Sequence, residues 1–364
     1  MIIVIGAGII GLFTAYDLLK KGKKVKIFDT SSLKANSSGA AVGMLAPLIE
    51  AKPLESELFN LMIASKKSWE KFSESEFINS YIKFKKNGAL MVALNQDDNE
   101  KLQFKKKYFE KLGHKTQLLS ADQTLKLEPS LNSNVYSSLF CKSQDQVNPQ
   151  LLKKFLVKEI ISMNGEYLVG KKIDILKLDD NKVFFENKSY KFDNLVIACG
   201  AWSSEIISNS FGIEIPLRPI KGISLMLNSK FNNIYHNLWF RNIYIAPREN
   251  GKLAVGATED EKGFDHEVKI DELYFLINSL WESFPKLEDL SLNRINVGLR
   301  PTTIDGSPII GPLKKFNNKI LCNFGHYRHG ILLAPKSAEI ISDYIFKKGM
   351  LGKNKFFSPS RFNL

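Results

Sequence analysis

The chain opens on an unbroken apolar run, Ile2 to Ile5, and then changes period. Four apolar residues without polar alternation suit a strand covered on both faces, as in a parallel sheet. After Gly6, Gly8 and Gly11, the apolar positions Leu12, Ala15, Leu18 and Leu19 return at helical spacing, and Gly22 stops the helix. Val25, Ile27 and Phe28 predict the next strand, which Asp29 closes. Further along, Leu54 to Phe72 reads as a helix, followed by the strand-like Tyr81 to Phe84 and Gly88 to Leu94. The segments 173–178, 183–186 and 190–192 read as a meander with a turn at Asp179-Asp180-Asn181. No internal repeat or low-complexity tract is visible.

Each early glycine has a physical task. The GxGxxG of Gly6, Gly8 and Gly11 supplies a tight turn, a close backbone approach to a pyrophosphate, and close helix-to-strand packing, with the helix N-terminus facing the phosphates. Asp29, 21 residues beyond Gly8, is placed to accept hydrogen bonds from a ribose. An acid there favours an unphosphorylated ribose, which NAD and FAD both offer, so this unit leaves the two open. The small-residue run Ser37 to Pro47 cannot fill a core. It suits a backbone pressed against an extended ligand, with Ser37 and Ser38 able to bond phosphate or ribityl oxygens.

A length of 364 residues gives room for two domains, and 44% hydrophobic with 24% charged residues is a globular balance. The charge, 51 minus 38, is +13, but 44 of the cations are Lys and only 7 are Arg. Scattered lysines without interleaved aromatics argue for a solvated surface, so no nucleic acid is expected as a partner. Where Arg does occur, a planar fork is wanted. Three scattered cysteines (Cys141, Cys199, Cys322) and five histidines without HxH or HExxH spacing support neither a disulfide framework nor a metal. The N-terminal apolar stretch is too short and too glycine-broken to span a bilayer, and it lacks a basic leader. No stable membrane insertion and a cytoplasmic location are therefore expected.

The run SSGAAVGMLAP (37–47) and Leu195-Val196-Ile197-Ala198-Cys199-Gly200-Ala201-Trp202 resemble the FAD-dependent amine and amino-acid oxidases related to D-amino-acid oxidase. Tyr244-Ile245-Ala246-Pro247-Arg248, Val255-Gly256-Ala257-Thr258, Gly298-Leu299-Arg300-Pro301, Asp305 to Gly311 and Gly325 to Pro335 look like the glycine oxidase branch. The resemblance runs from residue 1 to about residue 346. It implies an α+β/α/β fold: a discontinuous Rossmann-type FAD-binding domain (1–82, 146–215 and 292–364) and an antiparallel-sheet substrate domain (83–145 and 216–291). The cofactor implied is FAD, held non-covalently by Gly6, Gly8, Ile9, Ile10, Gly11, Asp29, Thr30, Ser37, Ser38, Val42, Gly43 and Met44. The backbone at Ile173 and the turn His326, Tyr327, Arg328, His329, Gly330, Ile331 and Leu332 complete that set.

In such enzymes a hydride passes from the substrate α-carbon to flavin N5, and the protein chiefly positions the substrate. The resemblance assigns the carboxylate clamp to Arg300, a supporting hydroxyl to Tyr244, and a second substrate-side residue to Arg328. It calls for no general base, so His326 and His329 read as turn-formers. The helix opening near Gly330 would aim its N-terminus at the flavin, where negative charge collects on reduction. In the sarcosine oxidase branch a cysteine carries the flavin covalently; aligned on Asp305, that place is Gly298, while Cys322 reads as packing. Glu259 stands where the glycine oxidase pattern has an apolar residue, facing either a cationic or longer amine or the solvent. The activity implied is deamination of glycine or another small amine, with O2 as acceptor and hydrogen peroxide as product, feeding thiamine biosynthesis. The alternatives are a quinone- or dye-coupled dehydrogenase and an oxidase of a carboxymethylaminomethyl group on transfer RNA. A homo-oligomer is a further implication.

Overall fold

The computed structural model describes residues 1–30, 36–170, 177–179, 181–185, 188–230, 234–284, 289–316, 319–347 and 352–364. A six-stranded sheet has Ile2–Ile5 near its middle, in the order 309–312, 320–324, 194–197, 2–5, 25–29, 166–169. All its pairings are parallel except that of 309–312 with 320–324. The unbroken apolar run at the N-terminus has its explanation here. Ile2 and Val4 join a core with the helices Ile9–Lys20, Ser56–Phe72, Pro149–Ser162 and Gly330–Lys347 on one face. Ile3 and Ile5 join a second core on the other face with Val183 and Phe185, from the small antiparallel sheet 177–191.

An eight-stranded sheet follows the order 290–303, 217–229, 252–256, 244–247, 237–239, 89–93, 137–141, 117–120. It is antiparallel except where 237–239 runs parallel to 89–93. The helix Ile270–Ser283 covers part of it through Leu276 and Leu280. Its longest pairing, Leu217–Ser229 with Leu290–Thr303, shifts register between Met226 and Leu227. That strand begins before residue 292, so the sequence-drawn division at 291/292 falls inside it.

Two local expectations need correction. The helix expected from Leu54 begins at Ser56, because Leu54 adopts a positive φ of 70°. Residues 81–84 are no strand. Phe77, Ile78, Tyr81 and Ile82 repeat at helical spacing, and the helix Glu76–Ile82 sets the Phe77 and Tyr81 rings against Phe155, with centroids 6.4 and 5.5 Å apart. Lys83 ends it in the left-handed region. Within the expected meander, residues 173–176, 180 and 186 lie outside the described residues.

Candidate active site

A cavity of about 520 Å³ is lined from both large sheets. At one end stand Gly6, Gly8, Ile9, Ile10, Asp29 and Thr30. Gly11 sits behind them: a Cβ on it would lie 1.9 Å from the Gly6 carbonyl oxygen, so only glycine lets helix and strand close. Gly8, the N-cap of the helix Ile9–Lys20, offers no side chain to that terminus, and the Ile9 N–H donates to Ser38 Oγ at 2.9 Å. The Asp29 carboxylate accepts from the N–H groups of Ala7 (3.0 Å) and Thr30 (2.8 Å). Burial lifts its pKa above the ordinary value, against those two bonds and the charge of Lys153. Lys153 itself reaches the cavity wall, which no motif announced. Ile173 lies outside the described residues.

The loop 36–46 forms one side. Asn36 caps the short helix Ser37–Ala40 by accepting from Gly39 N–H at 2.8 Å, and Ser37 Oγ donates to the Leu299 carbonyl. Gly298 comes so close that a Cβ there would stand 2.8 Å from Ala40 Cβ. Val42, Gly43 and Met44 continue the wall. The guanidinium of Arg248 donates to the Val42 carbonyl and to Gln146 Oε1. Arg248, unassigned from sequence, therefore fastens this loop, and burial lowers its pKa to about 10.

At the other end, the guanidinium of Arg300 lies across the face of Gly222, with Nη1 donating to the carbonyls of Thr258 (3.0 Å) and Lys221 (3.3 Å). Among the described residues it has no carboxylate partner. Tyr244 lies flat against Gly256, where a Cβ would stand 2.8 Å from its ring. The Arg328 guanidinium carbon is 6.0 Å from the centroid of that ring, and its Nε is 3.1 Å from Glu50 Oε2. Burial alone would raise the Glu50 carboxyl; Arg328, His329, Lys105 and Lys52 outweigh it and hold it below the usual range. Glu50 in turn pushes the Arg328 pKa up. Glu259 is exposed and accepts the Tyr327 hydroxyl; it is not itself part of the cavity wall.

The matching family model, an FAD-dependent oxidoreductase, covers residues 1–344. The chain belongs to this family of FAD-dependent oxidoreductases. Glycine oxidase of Bacillus licheniformis is 29% identical over 352 residues, spanning 94% of this chain and 92% of the relative. A bifunctional ThiO/ThiG protein of Trichormus variabilis is 26% identical over 99% of this chain and 55% of its own length. In fold, the chain resembles the crystal structure of glycine oxidase from Geobacillus kaustophilus, with a TM-score of 0.91, 23% identity, and coverage of 99% and 98%.

The residues of this FAD-dependent oxidoreductase fit the cofactor. Two cavity residues, Asn323 and His326, carry buried polar atoms (Oδ1 and Nδ1) without a partner among the described residues. The glycine turn, the open start of the helix Ile9–Lys20 and the carboxylate of Asp29 are the donor and acceptor set that a dinucleotide needs. Where the sarcosine oxidase pattern places a flavin-bearing cysteine stands Gly298, so FAD is bound without that covalent link. Cys322 is fully buried, as packing requires.

The turn after Phe324 is held from two sides. His326 Nε2 lies 2.8 Å from Ser337 Oγ, which ties the turn to the helix it opens. Burial depresses the pKa of His326 to about 3 and of His329 to about 4, so both rings are neutral near pH 7. Pro335 has no N–H to give the Ile331 carbonyl one turn earlier. Trp69 Nε1 fills that gap, 3.2 Å from the Ile331 oxygen and 2.9 Å from that of Leu332, and Ser65 Oγ adds a 2.6 Å bond to Leu332. Gly330, Ile331 and Leu332, at the start of this helix, line the cavity with Tyr327, Arg328 and His329.

Proposed function

We propose that the protein oxidatively deaminates glycine or another small amino acid, with O2 as electron acceptor and hydrogen peroxide, ammonia and the 2-oxo acid as products. The observation that carries this reading is Arg300: a guanidinium without an acidic partner among the described residues, laid over Gly222 in the same cavity as Tyr244. With Nη1 held by two carbonyls, its remaining donors are preorganised for a carboxylate. Tyr244 supplies a hydroxyl to that group, and Arg328, neutralised by Glu50, shapes the site without adding a second net charge. Bound FAD supplies the acceptor for the substrate hydride. The chain's own work is to fix the carboxylate, keep the amine oriented and exclude water. Neutral His326 and His329 act as supports of the turn. Glycine oxidase relatives from several bacteria support the substrate class. Three unpaired cysteines are in keeping with a reducing, cytoplasmic setting.

Anaerobic addition of glycine, sarcosine, D-amino acids or basic amines to the FAD-loaded protein tests this reading. Bleaching by a small amino acid, then one peroxide released per turnover on readmitting O2, is expected. Bleaching without peroxide but with dye-coupled turnover would replace O2 by another acceptor. No bleaching by any of the panel overturns the proposal.

A further inference from the structure

A second pocket, of about 340 Å³, is walled chiefly by residues 83–85, the hairpin tip 248–252 and the strand positions 293–294. None of its lining residues also lines the 520 Å³ cavity. Five cations surround it, Lys83, Lys85, Arg248, Lys252 and Arg294, against the single carboxylate of Glu249. Glu249 lies 3.1 Å from Lys83. The other four cations have no carboxylate within ion-pair distance among the described residues. We propose that this pocket binds a small phosphate or pyrophosphate ester of a polyol, at a site separate from the cofactor.

Two structural features show that the cations are placed and not merely scattered. Met226 pairs with Arg294 but Leu227 pairs with Leu292, so Asn293 is an extra residue in the strand Leu290–Thr303. Consecutive residues of a regular strand face opposite sides of the sheet, and a bulge re-aims them. Here Asn293 and Arg294 both reach the one pocket. The second feature is Arg248. Its guanidinium is half-buried and already fixed by the Val42 carbonyl and Gln146 Oε1. The remaining N–H groups of that fork are therefore preorganised for an oxyanion.

The same arrangement selects the ligand. Burial lowers the pKa of Lys85, and the charges of Arg248 and Lys83 add to this against Glu249. Unneutralised cations repel one another in the empty pocket, and an anion of two or more charges relieves that repulsion. Lysine point charges beside planar guanidinium forks are the donors that phosphates take. The volume is that of a small organic ligand and not of a lone ion. Four side-chain amides, of Asn148, Gln150, Asn250 and Asn293, complete the wall and suit hydroxyl groups. No aromatic ring among the described residues lines it, so a nucleobase would find nothing to stack on.

Calorimetric titration of the FAD-loaded protein with ribose 5-phosphate, inorganic pyrophosphate and ribose tests the proposal. Both phosphates should bind with a Kd below ~1 mM, while ribose gives no binding heat. Lys85→Gln and Arg294→Gln should each raise that Kd ~10-fold or more, the scale of a lost charge-assisted contact. Lys24→Gln, at an exposed lysine outside the pocket, should leave it unchanged. Flavin content and thermal midpoint of the two pocket variants should stay at or above wild type, because each removes a repelling cation from the empty site; this separates lost recognition from misfolding. Equal binding of ribose and ribose 5-phosphate, no binding of either phosphate at ~10 mM, or a Kd that both pocket variants leave within ~threefold overturns the proposal. So does a gel shift of single-stranded oligonucleotide, or flotation with phosphatidylglycerol vesicles, that Lys85→Gln abolishes and ribose 5-phosphate does not displace, because it would give these cations to a nucleic-acid backbone or to lipid.

Discussion

Replacing Gly222 by alanine should damage the site while sparing the fold. A Cβ at 222 would stand 2.3 Å from Arg300 Nη2, 2.4 Å from Nη1 and 2.5 Å from Cζ. Non-bonded heavy atoms settle near ~3.5 Å, so the guanidinium must retreat by roughly 1 Å. What retreats is the end of a flexible side chain, and the backbone can stay in place. The Nη1 bonds to Thr258 and Lys221 lengthen or break as the fork turns. A displacement of about 1 Å in a group whose contribution is positioning costs about 10²-fold in rate, or about 2.7 kcal/mol of barrier. Stopped-flow bleaching under nitrogen, fitted for the limiting rate and the substrate Kd, reads this directly. The second-order constant should fall about a hundredfold, with the thermal midpoint within about 2 °C of wild type. In an Arg300→Ala background the same glycine change should cost nothing further, because the fork it displaces is gone. If Gly222→Ala retains the wild-type constant within threefold, Arg300 does not act through its placement over residue 222 and the reasoning fails.

Trp69→Phe removes the donor that meets the Ile331 and Leu332 carbonyls in the interior. It should cost about 1–3 kcal/mol in urea unfolding, the range for an unmet buried acceptor, and raise the FAD Kd, measured by fluorescence quenching, because those residues line the cavity. Glu50→Gln leaves Arg328 without its counter-ion and should cost about 1–2 kcal/mol, held down by the partial exposure of the pair. Its pH dependence follows from the depressed Glu50 pKa: the contribution is present above the ordinary glutamate value and is lost as pH falls through the lower folded value, so wild type and Glu50→Gln should converge in stability in acid. His326 and His329 behave likewise on a different window. With folded values of about 3 and about 4, their stabilising effect is whole above ~6.5 and fades on descent towards them, at up to ~1.4 kcal/mol per pH unit for each ring. Urea titrations from pH 7 to pH 4.5 should show this slope, and His329→Gln should remove about half of it.

The nucleotide-binding unit was legible because its determinants are local. A strand, a glycine turn, a helix and an acid are written within residues 2–29, and Gly11 answers to the Gly6 carbonyl five residues before it, although what crowds Gly6 itself is the distant Ala198 carbonyl. The proposed substrate side was legible only through the resemblance of Gly298 to Pro301 and Gly325 to Pro335 to a known family, since nothing local marks Arg300 as the proposed clamp. Its supports are non-local. Gly222 sits inside a 13-residue strand and Gly256 closes a five-residue one, where a glycine signals a close approach but not what approaches. Glu50 belongs to no motif, and its value lies in Arg328, 278 residues away in sequence (328 − 50). Pro335 inside a helix foretells an orphaned carbonyl, yet only the packed fold shows that Trp69 supplies the proton donor. The misread strand at 81–84 has the same origin. A β-prone tetrapeptide read alone looks extended, whereas Phe155 across the core rewards the helical placement of Phe77 and Tyr81. Local chemistry thus announces a dinucleotide-type turn and acid at the cavity, while the groups that hold Arg300 and brace the turn at 326–330 are chosen by packing between segments far apart in sequence.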